Sequence, residues 1–285
     1  ILNSEWFGVP QSRERVFILG FRQDQKIAPT FPLPVHRVVR NCGQLSESKI
    51  LRDFFRNPEF FVRSKTPEIG PKAVSVADAL GDLPRFLSHL NNPEYRSIRS
   101  LFPPQSYRQG RPSTYASLMR KWDKTLVSMK VTDHYCRRTP RDHDTFGLMQ
   151  PGDKYPRAVE IAKRRYQEAK RLYAEGLLDV RPRRKAFVPP YQLGAFEERW
   201  WKLIPSLPSW TITAHLARDC YSHIHYDSQK RSITSREAAR LQSFPDAFVF
   251  SGNMGDCFKQ IGNAVPPLLA YALARHLRVV LGTSN

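Results

Sequence analysis

The chain has 285 residues, enough to bury one or two hydrophobic cores, and a hydrophobic content of 41% excludes disorder throughout. Its 45 basic residues against 26 acidic ones leave a net charge of +19, which favours a polyanion partner, with nucleic acid the default. No apolar run approaches the length needed to span a membrane.

The four cysteines are scattered with no Cys-x-x-Cys pair, which suits a reducing, cytoplasmic setting. Ile1 is not a natural start, so the chain is expected to be a fragment, a cleaved product or one part of a larger polypeptide. The first element, GVPQSRERVFILGF, reads as a turn entering a strand over Val16 to Phe21. Gln11, Arg13 and Arg15 alternate, so extended chain points all three to one face, where long polar side chains need anionic or carbonyl partners. Asp24 to Ser46 is proline-rich and aperiodic, and reads as a connector. Val74 to Leu87 predicts a helix with Ser75 at its N-cap and Pro84 beyond its end.

From Arg85 to about Ser209 the chain mixes Pro, Arg, Tyr and Trp with short apolar runs. Within it, Pro156 to Glu175 predicts a helix whose stripe is Ala158, Val159, Ala162, Tyr166, Ala169 and Tyr173. Arg157, Arg164 and Arg171 recur every seven residues on the other side. They read either as a DNA-backbone rail or as a solvated face paired with Glu160, Glu168 and Glu175. The cluster Arg181, Arg183, Arg184 and Lys185 has no acidic partner beyond Asp179 and is the better phosphate-contact candidate. Cys220, His223 and His225, with His215 as a fourth, have zinc-ligand chemistry, but no second cysteine pair completes a structural site, and no metal is expected.

The last stretch carries the strongest pattern. Thr234 and Glu237 are spaced as a capping box, Ala238, Leu241 and Gln242 share a face, and Phe244-Pro245 ends the helix. Gly262-Asn263 predicts a turn, and Pro266 and Pro267 fit the first turn of a helix carrying Leu269, Leu273, His276, Leu277 and Val280 on one face. That helix and the strand over Val16 to Phe21 are expected to share one α/β layer.

RxxTxREAARLQxFPD followed by QxGNAVPP resembles the last two conserved blocks of the DNA cytosine-5 methyltransferases, and QxRxR resembles the block before their target recognition domain. The resemblance implies an α/β fold. It would be the C-terminal portion of a Rossmann-like S-adenosylmethionine-dependent methyltransferase domain with an inserted, mostly irregular α+β target recognition domain. The boundaries follow as 1–84 for the end of the catalytic domain and a connector, 85–228 for recognition, and 229–285 for the return to the catalytic domain. By the same resemblance Arg13 and Arg15 hold the flipped cytosine and its phosphates, with Gln11 and Arg231 at the DNA. Asn263, Ala264 and Val265 form part of the S-adenosyl-L-methionine site. A turn before a proline-started helix is expected to leave N–H groups free for the donor's carboxylate.

Three family features are not found in the sequence: the Pro-Cys turn that supplies the nucleophile, the Glu-Asn-Val block and the Phe-x-Gly-x-Gly loop. Cys42, Cys136, Cys220 and Cys257 lack that context. The expectation is a DNA cytosine-5 methyltransferase half that binds double-stranded DNA and needs a missing N-terminal half for methyl transfer. The alternatives are a non-catalytic DNA-binding specificity subunit of a split enzyme and a transfer-RNA cytosine methyltransferase of the same fold.

Overall fold

The computed structural model describes residues 1–37, 69–92, 94–96, 98–194, 199–218 and 220–282. Cys42 and the second part of the proline-rich connector lie outside the described residues. A single sheet is found among the described residues: β1 (Leu2–Asn3) pairs antiparallel with β2 (Glu14–Arg15), with Leu2 opposite Arg15. The strand expected over Val16 to Phe21 is therefore corrected. Pairing stops at Arg15, and Val16 and Ile18 are 59% and 91% exposed because no neighbouring strand covers them. Phe17 does turn inward and packs with Leu2, Phe7, Leu269 and Leu273, so the segment and the last helix share a small core.

Eight α-helices are described. The first, α1 (Val76–Leu80), is shorter than the sequence suggests but is capped as expected: Ser75 Oγ accepts from the Asp78 N–H and Asp78 reaches back to the Ser75 N–H. Short helices α2 (Ser88–Asn91), α3 (Thr114–Arg120) and α4 (His143–Leu148) follow. Helix α5 (Tyr155–Ala174) starts on Pro156 and buries Tyr155, Ala158, Val159, Ile161, Ala162 and Ala169. Its arginines settle as a solvated ion-pair face: Arg157–Glu160 at 2.6 Å, Arg164–Glu160 at 3.5 Å, and Arg171 with Glu168 at 2.6 Å and Glu175 at 2.7 Å. Exposed pairs of this kind contribute little stability.

The core has a main body and a satellite. The satellite joins Phe146, Met149, Tyr155, Trp200 and Ile224, all from the middle of the chain. Lys202 is buried beneath it and donates Nζ to the Phe146 and Met149 carbonyls at 2.8 Å each, satisfying orphan acceptors at the end of α4. The main body is drawn from residues as far apart as Val76, Tyr135, Leu203 and Ile261. At its centre lies α6 (Ser235–Leu241), in which all seven residues are buried.

A polar helix buried on every side must have each charge paired. The capping box forms as expected, Thr234 Oγ1 accepting from the Glu237 N–H at 3.1 Å and Glu237 Oε2 accepting from the Thr234 N–H at 2.7 Å. Arg231, Arg236 and Arg240 are each 0% exposed. Arg231 makes a two-pronged bond to Glu237 at 2.7 and 2.8 Å. Arg240 grips Asp246 at 2.6 Å through two nitrogens and Asp82 at 3.0 and 3.1 Å. Arg236 donates to Thr132 O, Thr132 Oγ1 and Phe248 O, with Asp133 3.4 Å away. Burial alone would raise the Glu237 carboxyl, but Arg231 and His225 hold it well below the usual carboxylate range. Two further helices close the chain, α7 (Met254–Asn263) and α8 (Pro267–Val280). Among the described residues no helix is long and apolar enough to cross a membrane.

Candidate functional site

The two ends of the chain are tied together by one buried glutamine. Gln11 Nε2 donates to Leu241 O at 3.2 Å and to Gln242 Oε1, and its Oε1 accepts from the Ile212 N–H at 2.6 Å. Gln242 Nε2 in turn donates to Ile261 O at 3.0 Å and Ala264 O at 2.9 Å. Arg13 completes the knot, with Nη1 on Ile212 O at 2.5 Å and Nη2 on Gly262 O at 3.0 Å. Burial, followed by the neighbouring charge of Arg15, lowers the Arg13 guanidinium to about 10.

This geometry corrects three expectations. Gln11 and Arg231 are fully buried with amide and guanidinium bonded inside the protein, so a DNA phosphate has no access to them in this fold. Arg13 is also interior and spends its charge on two carbonyls, which makes it a positioning group and not a contact to the base. The alternation of Gln11, Arg13 and Arg15 persists, but only the first two point inward. Arg15 is exposed, its Nη1 on the Glu14 carbonyl at 2.6 Å.

The expected turn at Gly262-Asn263 is instead the end of α7, and the chain turns at Ala264 to Pro266. Gly262 is there for close approach. A Cβ at this position would lie 2.2 Å from Ala214 N and 2.3 Å from the Thr213 carbonyl carbon. Asn263 and Val265 are exposed and Ala264 half-buried, so all three reach the surface beside the knot. The helix start fits a donor's carboxylate less well than its sequence suggests. Pro266 and Pro267 have no N–H, the Ala264 N–H goes to Ile261 O at 3.3 Å, and the Leu268 N–H goes to Ser243 Oγ at 3.1 Å. What remains for a cofactor is a wall: the Asn263 amide, with no protein partner among the described residues, and the apolar Val265.

The basic cluster stands elsewhere. Arg181, Arg183, Arg184 and Lys185 are exposed, and Arg181 and Arg183 line an apolar cleft of about 360 Å³ with Ala169, Val180 and Phe187. Of the zinc-capable side chains His215 is exposed, and the other three are engaged inside the fold. Cys220 Sγ donates to Leu216 O at 3.1 Å, His223 lies 3.3 Å from Trp210 O, and His225 bonds Asp227 at 2.8 Å and approaches Glu237 at 3.4 Å. Sequence reasoning missed the knot's anchor Gln242 and the buried arginines Arg236 and Arg240. Gln11, Asp82 and Thr132, which meet Gln242, Arg240 and Arg236, lie more than 100 residues away in sequence, and no local spacing announces them.

A family model for C-5 cytosine-specific DNA methylases matches residues 1–278. M.OihORF3336P of Oceanobacillus iheyensis, which carries the name of a type II methyltransferase, is 38% identical over 98% of this chain and 60% of its own length. The type II methyltransferase M.AgeI of Thalassovita gelatinovora is 31% identical over 96% of this chain and 64% of its own. The chain thus spans about 60% of the length of these relatives. A solved E. coli structure, described as a prophage-encoded DNA modification methyltransferase, superposes with a TM-score of 0.55 at 17% identity. The match covers 99% of this chain and 59% of that one, a likeness of fold. Enzymes of this family take their methyl group from S-adenosyl-L-methionine. With a family match running from residue 1 to residue 278, the chain belongs to the C-5 cytosine-specific DNA methylases.

Proposed function

We propose that this chain is the DNA-reading, C-terminal half of a DNA cytosine-5 methyltransferase. In this reading residues 85–228 read duplex DNA. Residues 1–84 and 229–285 supply one wall each of the flipped-base and S-adenosyl-L-methionine sites. The observation that carries the proposal is the knot: Arg13 touches Gly262, which places the exposed Arg15 and Asn263 two residues and one residue from a shared contact. Two blocks some 250 residues apart are thereby joined through a buried bond.

Bound cofactor supplies the methyl group. Arg15 is proposed to meet the flipped base and its phosphates, and Asn263, Ala264 and Val265 to bound the donor. The target carbon is inaccessible inside a base stack, which gives a separate DNA-reading region its purpose. Attack at carbon 6 needs a thiolate. Among the described cysteines, Cys136, Cys220 and Cys257 are buried, and burial pushes the Cys136 thiol up to about 12, the opposite of activation. Cys42 lies outside the described residues and is not preceded by proline, and with no Pro-Cys turn in the sequence the nucleophile is assigned to a part of the enzyme outside it. The exposed Val16 and Ile18 beside the unpaired edge of the sheet give that part a surface to cover.

The test is a DNA-binding titration of the 285-residue chain at several salt concentrations. Binding to duplex DNA should weaken steeply as salt rises, because phosphate contacts release counterions. Salt-independent binding, or none, would defeat the proposal.

A further inference from the structure

We propose that a second cavity, sharing no residue with the Arg15 and Asn263 edge, accepts one unpaired nucleobase. It has a volume of about 580 Å³ and is lined by Arg85, Phe86, Asn91, Asn92, Phe102 and Gln105 among others. That volume lies within the range of small-ligand sites, about 300–1,000 Å³. The inference rests on the reading of residues 85–228 as the part that meets DNA.

The chemistry of the lining selects the ligand. Phe102 is half-buried, stacked on Tyr135 with centroids 5.7 Å apart and edge-on to Phe86 at 5.4 Å, so the base of the cavity is a rigid aromatic cluster. Nucleobases stack on such surfaces whatever their identity. Asn91 and Gln105 bring side-chain amides to the cavity that have no protein partner among the described residues. Asn92 spends its carbonyl on the Glu94 N–H at 2.9 Å and keeps its two donors. Carboxamides are the groups that pair with the edge of a base, adenine above all. Arg85 is exposed at the cavity, where a phosphate flanking the base would lie.

The supports are stiff. Gln105 is pinned by two backbone bonds to Val131, at 2.9 and 2.7 Å. The Phe86 N–H donates to Gln229 Oε1 at 2.6 Å, and that oxygen also accepts from Arg231 at 3.0 Å. The cavity wall is therefore wired to the buried charges beside α6.

Shape decides between a paired and an unpaired base. A base inside a duplex lies behind its backbone and is read by side chains that protrude into a groove. Amides on the walls of a concavity can reach only a base that protrudes. A bulged or extrahelical nucleotide does so.

The experiment measures anisotropy of the 285-residue chain with three labelled duplexes: fully paired, carrying one bulged adenine, and carrying a bulged abasic site. The abasic bulge has the same backbone flexibility without the base. The bulged adenine should bind about tenfold more tightly than either other duplex, the lower part of the range for one carboxamide–base pairing. Replacing Asn91 and Gln105 together with alanine should remove that preference and leave affinity for the paired duplex unchanged. Gln105→Ala alone keeps the Val131 backbone bonds and should remove part of it. Equal binding of the adenine and abasic bulges, or a preference that survives the double substitution, would overturn the inference while the DNA-reading proposal stands. Failure to bind any duplex would end both.

Discussion

Replacing Gly262 with alanine tests the knot at its tightest point. The added methyl would sit 2.2 Å from Ala214 N, 2.3 Å from Thr213 C and 2.7 Å from Ala214 Cα, all backbone atoms. No side-chain rotation relieves such a contact, so α7 must move away from residues 213 and 214. The movement would stretch the Arg13 bonds to Ile212 O and Gly262 O and the Gln242 bonds to Ile261 O and Ala264 O. Overpacking of this kind costs about 3 kcal/mol or more. With an unfolding entropy of about 2.1 cal/mol/K per residue, a chain of 285 residues carries about 0.6 kcal/mol/K, so the melting temperature should fall by about 5 °C. The assay is thermal unfolding followed by circular dichroism, with Gly20→Ala as control, because a Cβ at Gly20 meets nothing within 4 Å. A Gly262→Ala protein as stable as the Gly20→Ala protein would refute the argument that close approach fixes this residue.

Other perturbations separate the remaining claims. Asp246→Ala strips Arg240 of its 2.6 Å partners and Tyr107 of its acceptor; with Asp82 still in place the cost should be about 3 kcal/mol, the low end for a broken buried pair, read by urea denaturation. Burial lowers His89, His134 and His223 to about 4. Between pH 6.5 and 4 the unfolded chain takes up protons that the folded chain refuses, so stability should fall as pH falls through that window. Glu5, raised by burial to about 7, works the other way between pH 7 and 4.5 and offsets about one histidine, leaving a net loss of several kcal/mol measurable by denaturation at pH 7 and pH 5. Replacing Arg183 and Arg184 with alanine should reduce the slope of log affinity against log salt by about 2, one for each lost phosphate contact, whereas an unchanged slope would move DNA binding away from that cluster. In an enzyme completed by its N-terminal half, Arg15→Ala should lower the methyl-transfer rate more than it lowers DNA affinity, and unchanged turnover would remove Arg15 from the active site.

What the sequence made legible is local. The N-cap at Ser75, the capping box at Thr234, the proline start of α5 and its apolar stripe are set by neighbours three or four residues away, and all of them form. The fate of a charged side chain is set by partners that the spacing does not reveal. Arg240 looks like a surface residue of an amphipathic helix until Asp82, 158 residues earlier, is found beside it. Gln11 looks like a DNA contact until Gln242, 231 residues later, takes its amide. The run Val16 to Phe21 carries the composition of a buried strand, and only its Phe17 finds a core. The candidate site divides along the same line. Asn263 to Val265 and Arg15 reach the surface, and Arg13 and Arg231, of the same residue type, are interior.

The central claim, a DNA-reading half without its own nucleophile, is tested most directly by tritiated-methyl transfer from S-adenosyl-L-methionine to duplex DNA. The chain would be assayed alone and with an N-terminal methyltransferase half that carries the Pro-Cys and Glu-Asn-Val blocks. No transfer by the chain alone and transfer on adding that half are the predicted results, since no arginine or turn replaces covalent attack at carbon 6. Methyl transfer by residues 1–285 alone would contradict the account.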